Sequence, residues 1–286
     1  MKLWRLCAIA FAAVLSALPA HAETTVVHHA ATVRIDPDRA RLHVQDTLTL
    51  QGHGATDLIL SPAFTIETAT VNGEPVSVRR RGDQLTLDLN GPGPHEVKLS
   101  YQGHGAPLLT PDGGFVEASW LAQPDGALAT WSISGQTPAD QKFIAPGKLL
   151  SETQTNASYQ AKFENSIPNA LPVLITGPFQ VAEKMLGGIR LRTYFHGELV
   201  NLADGYLEST ARYIEYYIDK IGPYPYPGLS IISGPAPVGW GLPGMTYMGK
   251  RVLALPFIRD TSLPHEILHN WWGNAVEVDY LNGNWA

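Results

Sequence analysis

His265, Glu266 and His269, in the run Pro264-His265-Glu266-Ile267-Leu268-His269-Asn270-Trp271-Trp272-Gly273-Asn274, have the types and spacing of a metal site. A helix turns about 100° per residue, so imidazoles at i and i+4 lie side by side and offer two nitrogens to one tetrahedral zinc ion. Glu266 follows the first histidine but projects to the side of the metal. That is the place of a base that takes a proton from a zinc-bound water without ligating the ion itself. Two imidazoles and an anionic third ligand leave the fourth position for that water, whose pKa the metal lowers to about 7. The expected cofactor is Zn2+ and the expected chemistry is metal-assisted hydrolysis.

These side chains need a helix, and the flanking residues predict one. Thr261 and Ser262 are N-cap candidates, Pro264 suits a first turn, and Gly273-Asn274 suits a left-handed stop. Upstream, residues 201–221 carry Leu202, Tyr206, Leu207, Thr210, Tyr213, Ile214, Tyr217, Ile218 and Ile221 at three- and four-residue spacing, an amphipathic helix closed by Gly222-Pro223. A stiff connector, Tyr224-Pro225-Tyr226-Pro227-Gly228, then leads into the apolar strand Leu229-Ser230-Ile231-Ile232. The tyrosines here read as packing residues.

From Thr32 to about Gln180 the pattern changes to short alternating runs, the signal of antiparallel strands. Leu85, Leu87 and Leu89 share one face, and Val97, Leu99 and Tyr101 follow across Gly91-Pro92-Gly93-Pro94, which predicts a two-strand unit. Asn72-Gly73 predicts a tight hairpin turn. His28, His29, His53 and His104 read as solvated loop residues, and Asn156-Ala157-Ser158 as a glycosylation acceptor only in a eukaryotic secretory pathway. The expected class is α+β: a signal peptide over 1–22, an N-terminal antiparallel β-sandwich or saddle over 23–186, and a partial α/β catalytic unit over 187–286.

Composition narrows the partners. Lys2 and Arg5, the apolar run to Leu18 and Ala20-His21-Ala22 have the order of an export signal, so the chain is expected in the periplasm or secreted. That run falls short of the roughly 20 apolar residues of a spanning helix, which predicts no stable membrane anchor after cleavage. Cys7 is the single cysteine and leaves with the signal, so stability must come from burial. With 20 basic against 26 acidic residues and no basic run beyond Arg79-Arg80-Arg81, nucleic acid is not an expected partner.

The run 265–274 resembles the zinc helix of the M1 metallopeptidases, gluzincins in which HExxH precedes an aromatic pair and Gly-Asn. Gly177-Pro178-Phe179 and Ile221-Gly222-Pro223-Tyr224-Pro225-Tyr226 follow the same family order. The resemblance implies a β-saddle followed by the start of a thermolysin-like domain, peptide or protein substrates, zinc ligands His265 and His269, and Glu266 as general base. The family's third ligand is a glutamate that would fall at 288, beyond Ala286, and its catalytic tyrosine lies further on. Glu277 and Asp279 follow the stop at Gly273 too closely to turn back easily.

The family's Gly-x-Met-Glu-Asn strand, whose glutamate binds the substrate's free amine, corresponds here to the segment from Val238 to Tyr247. No Asp or Glu occurs between Asp219 and Asp260. Its glycines read first as turn residues and second as points of close substrate approach. Two functions follow: an exported M1-like zinc metallopeptidase, incomplete over these residues, or a non-catalytic peptide- or protein-binding remnant of that family.

Overall fold

A computed structural model of the chain describes residues 26–104, 109–116, 119–170 and 172–276. The segment read as a signal, and Glu277 and Asp279, lie outside the described residues. The architecture is α+β. An eight-stranded sheet runs in the order Lys148–Gln154, Ser158–Asn169, Leu128–Pro138, Val26–Asp36, Arg41–Gln51, Pro94–His104, Phe64–Val71, Glu74–Pro75. Period-two alternation turns Val27, Ala31, Val33 and Ile35 of one strand, and Leu42, Val44, Leu48 and Leu50 of the next, into a single core.

Two expectations about this sheet are corrected. It is not wholly antiparallel: Val26–Asp36 pairs parallel with Leu128–Pro138, a register reached only by a long crossover. Nor do the leucines at 85, 87 and 89 form a hairpin with Val97, Leu99 and Tyr101. Gln84–Leu89 belongs to a three-stranded sheet with Gly54–Ile59 and Arg79–Arg81, while Pro94–His104 sits in the large sheet. The turn, with Gly91 and Gly93 at positive φ, crosses between layers, and the two apolar faces meet in the core rather than side by side. Asn72-Gly73 is the expected turn, both residues at positive φ between Val71 and Glu74.

His28 and His29 lie in strand Val26–Asp36, and His104 ends another, so only His53 is an exposed loop histidine. His29 occupies an inward position and is fully buried, with Nδ1 2.7 Å from Asp46 Oδ2 and Nε2 3.3 Å from Gln123 Oε1. Burial of these polar groups is offset by their mutual hydrogen bonds.

The catalytic-side sheet has the order Gln180–Leu186, Ile189–Phe195, Gly228–Gly234, Met245–Gly249, Gly239–Leu242. Both faces are covered. Tyr194, Ile232, Met245 and Tyr247 join the β-domain core, whereas Leu191, Phe195, Leu229, Ile231 and Met248 pack against helices. Helix α1 (Ala203–Lys220), entered through a 3-10 segment Gly197–Leu202, buries Tyr206, Leu207, Ala211 and Ile214 on that second core. A short helix α2 (Lys250–Leu253) and a 3-10 turn Ile258–Asp260 lead to helix α3 (Ser262–Leu268). Buried His196 binds the Asp112 carbonyl at 2.6 Å and Lys250 binds its carboxylate at 2.8 Å, tying the sheet to the β domain. Among the described residues, no helix is long and apolar enough to cross a membrane.

Candidate metal centre

Helix α3 is held by its apolar side. Leu263 and Ile267 are fully buried in the second core, and burial of such side chains contributes roughly 1.5–3 kcal/mol each. The opposite side carries His265 and His269, whose Nε2 atoms are 3.2 Å apart with rings at 87°. Glu266 is between them in sequence and only 9% exposed. The sequence reading of the start is partly corrected. Thr261 occupies the N-cap position but makes no capping bond; its hydroxyl donates back to Phe257 O at 2.9 Å, because the preceding 3-10 turn brings that carbonyl within reach. The stop is as read, with Gly273 at φ +95°.

Residues just past the helix do structural work that spacing alone did not reveal. Asn270 is fully buried: its Oδ1 accepts from Gly244 N–H at 2.9 Å and Tyr224 O–H at 3.1 Å, and its Nδ2 donates to Ile267 O at 3.0 Å. One side chain therefore joins the helix end, a hairpin turn and the Tyr224 connector. Trp271 Nε1 donates to Gly222 O and Pro223 O, and its ring stands edge-on to Tyr217 and Tyr224. Trp272 is exposed, yet its carbonyl lies 3.1 Å from His269 Nδ1. An Nδ1–H donated there leaves the Nε2 lone pair facing His265, the tautomer a metal ligand needs.

Two of the three glycines between Val238 and Tyr247 are not turn residues. Gly239 and Gly241 belong to the edge strand Gly239–Leu242, which runs along α3. A Cβ on Gly239 would lie 2.9 Å from Glu266 Oε1, and one on Gly241 2.7 Å from His269 Cβ and 3.0 Å from Glu266 O. Helix and strand approach so closely that no side chain fits between them. The alternate residues point the other way: Trp240 packs on Phe115 and Tyr247, with Leu242 beside the β-domain core. Only Gly244, at φ +66°, serves the hairpin turn.

Zinc fits the imidazole pair. Two ligands of a tetrahedral zinc at about 2.05 Å stand about 3.3 Å apart, close to the observed separation. Among the described residues no group of three His, Cys, Asp or Glu side chains converges, so these residues supply two protein ligands and no third. A cavity of about 300 Å³ between the β domain and the five-stranded sheet, lined by Lys148, Arg190, Arg192 and Met185, does not include the HExxH residues.

No family model matches the chain. It is 29% identical over 133 residues to endoplasmic reticulum aminopeptidase 1 of Rattus norvegicus, and likewise to that of Homo sapiens, covering 40% of this chain and 14% of each relative. An M1 zinc metallopeptidase from Deinococcus radiodurans superposes with a TM-score of 0.68 at 19% identity, over 88% of this chain and 64% of the other. A mutant of that enzyme bound to a Tyr-Ser-Ala substrate gives 0.67 at the same identity and coverage. The chain thus spans under two thirds of these solved chains and about a seventh of the curated relatives. At such identity the structures share the fold, and together with the aminopeptidase similarity they support the M1 resemblance carried by residues 265–274.

Proposed function

We propose that this chain, which carries the M1 zinc metallopeptidase fold, cleaves peptide bonds with zinc held by His265 and His269 and with Glu266 as general base. The observation that carries this reading is the 3.2 Å separation of the two Nε2 atoms, a tetrahedral edge with a carboxylate beside it. Zinc, when bound, supplies Lewis-acid chemistry that makes water nucleophilic near neutral pH. Glu266, shielded against the backbone of Gly239, takes the proton of that water and delivers it to the departing amine. Asn270 and the Trp272 carbonyl hold His269 in place while this happens. On this reading the third ligand comes from outside the described residues, residues 1–22 are an export signal, and the mature protein works in the periplasm or outside the cell. The division into an N-terminal β domain and a peptidase portion belongs to this reading, with strand Gln180–Leu186 on the peptidase side, where it pairs with Ile189–Phe195.

The test is Glu266→Gln in the exported protein. Peptide cleavage should fall by about 10²–10⁴-fold, while bound zinc, measured by elemental analysis, stays at one per chain. Cleavage that survives the substitution would sink the assignment.

A second reading is a non-catalytic module that binds peptides or protein surfaces. It is favoured by the lack of a third converging ligand among the described residues. Stoichiometric zinc at sub-micromolar affinity together with turnover would eliminate it.

A further inference from the structure

The cavity of about 300 Å³ between the β domain and the five-stranded sheet has two kinds of lining. Lys148 comes from the edge strand of the large sheet, and Arg190 and Arg192 from Ile189–Phe195 of the smaller one. Leu149, Phe163, Met185 and Met245 supply apolar surface from both sides. Two sheets thus bring cations and hydrocarbon to one hollow, whose volume falls at the small end of the roughly 300–1,000 Å³ of ligand sites.

The charged wall is fixed before anything binds. Arg192 is only 9% exposed: Nε donates to Glu183 Oε2 and Nη2 to Glu152 Oε1, both at 2.6 Å, and Nη1 donates to Tyr194 Oη at 3.0 Å. Arg190 Nε stands 3.7 Å from the other oxygen of the same Glu183. Glu183 therefore serves two guanidinium groups, and Lys148 adds an ammonium. Among the described residues, the three cations of the cavity meet two carboxylates, which leaves the wall positive. Beside apolar surface that charge acts more strongly than in open water. The opposite wall is fixed too. Ser230 N–H donates to Gly244 O at 3.0 Å and Gly244 N–H to Asn270 Oδ1 at 2.9 Å, so these lining residues are tied to the end of α3. A hollow formed in advance spends no binding energy on ordering itself.

We propose that this cavity binds a small organic oxyanion with an apolar body, a carboxylate or a phosphate monoester. The anionic head takes charge-assisted hydrogen bonds from Lys148 and Arg190, and the body covers Phe163, Met185 and Met245. Arg192 keeps its two carboxylates and holds the wall in shape. The site shares no residue with the HExxH run, so it stands independently of the peptidase reading.

Titration calorimetry on the full chain compares phenylpropionate, phenyl phosphate and uncharged phenylpropanamide. At least one anion should bind with a Kd on the order of 0.1–1 mM, and the tighter of the two identifies the head group. The amide should bind about ten-fold more weakly or worse. Lys148→Met and Arg190→Met keep their apolar stems and replace partly exposed side chains, and together they should weaken the anion by about ten-fold or more. Three results overturn the proposal: the amide binding as tightly as the anions, inorganic phosphate binding as tightly as phenyl phosphate, or anion binding unchanged in the double variant. Binding of neither anion at about 10 mM also overturns it, since groups of the chain itself then satisfy the cations.

Discussion

Asn270→Ala tests whether the end of the HExxH helix is fixed by one buried amide. The substitution orphans Gly244 N–H, whose acceptor at 2.9 Å disappears, at roughly 1–3 kcal/mol for a buried unsatisfied donor. Tyr224 O–H loses one acceptor but keeps Gly228 O at 3.2 Å, so that loss is nearer 0.5–1.5 kcal/mol. Ile267 O keeps the backbone N–H of residue 270 at 3.0 Å and suffers little. The sum is about 2–4 kcal/mol, or a Tm lower by roughly 5–15 °C for a unit of this size. Calorimetry on Asn270→Ala beside Trp272→Ala, an exposed control expected within about 1 °C, reads it directly. Zinc affinity should fall in the first variant only, since the amide anchors the turn that carries His269. A Tm for Asn270→Ala within a degree of the parent would refute the reasoning.

Gly241→Ala places a methyl 2.7 Å from His269 Cβ; overpacking should cost about 1–3 kcal/mol and weaken zinc binding in a chelator competition. Zinc at about 100 times its Kd should add roughly 2.7 kcal/mol of stability, and both EDTA and His265→Ala should remove that increment in a thermal melt. Hydrogen bonds from Arg192 hold the Glu152 carboxyl below its ordinary value of 4.5, against burial, with Tyr159 assisting. A depressed carboxyl stabilises fully above the ordinary value and loses that contribution as pH falls through the folded one. Glu152→Gln should therefore cost about 1 kcal/mol in urea unfolding at pH 7, solvent screening included, with the gap closing below about pH 4.5.

Local signals in the sequence carried local structure. Alternation located strands such as Arg41–Gln51, Asn72-Gly73 located its turn, and helical spacing located α1 to within two residues of its start. Sheet membership was another matter, because alternation tells which face of a strand is apolar and not which strand lies beside it. Hence Gln84–Leu89 and Pro94–His104 share a core without sharing a sheet. The glycines at 239 and 241 were misread because glycine marks both positive φ and close approach, and composition does not separate them. The buried pair His29 and Asp46 did leave a trace: His29 sits in register with Val27, Ala31, Val33 and Ile35. Asn270 left none beyond being polar at the end of an apolar run.

The parallel pairing of Val26–Asp36 with Leu128–Pro138 sets an order of events while the protein is being made. The first described strand lies inside the sheet, flanked by Arg41–Gln51 on one side and by a segment about a hundred residues later on the other. At roughly 5–20 residues per second, that partner emerges about 5–20 s after the strand itself. For that interval the strand has one sticky, unprotected edge. A cell that makes this chain must keep the edge covered, so the time of greatest danger precedes the synthesis of any residue of the metal centre.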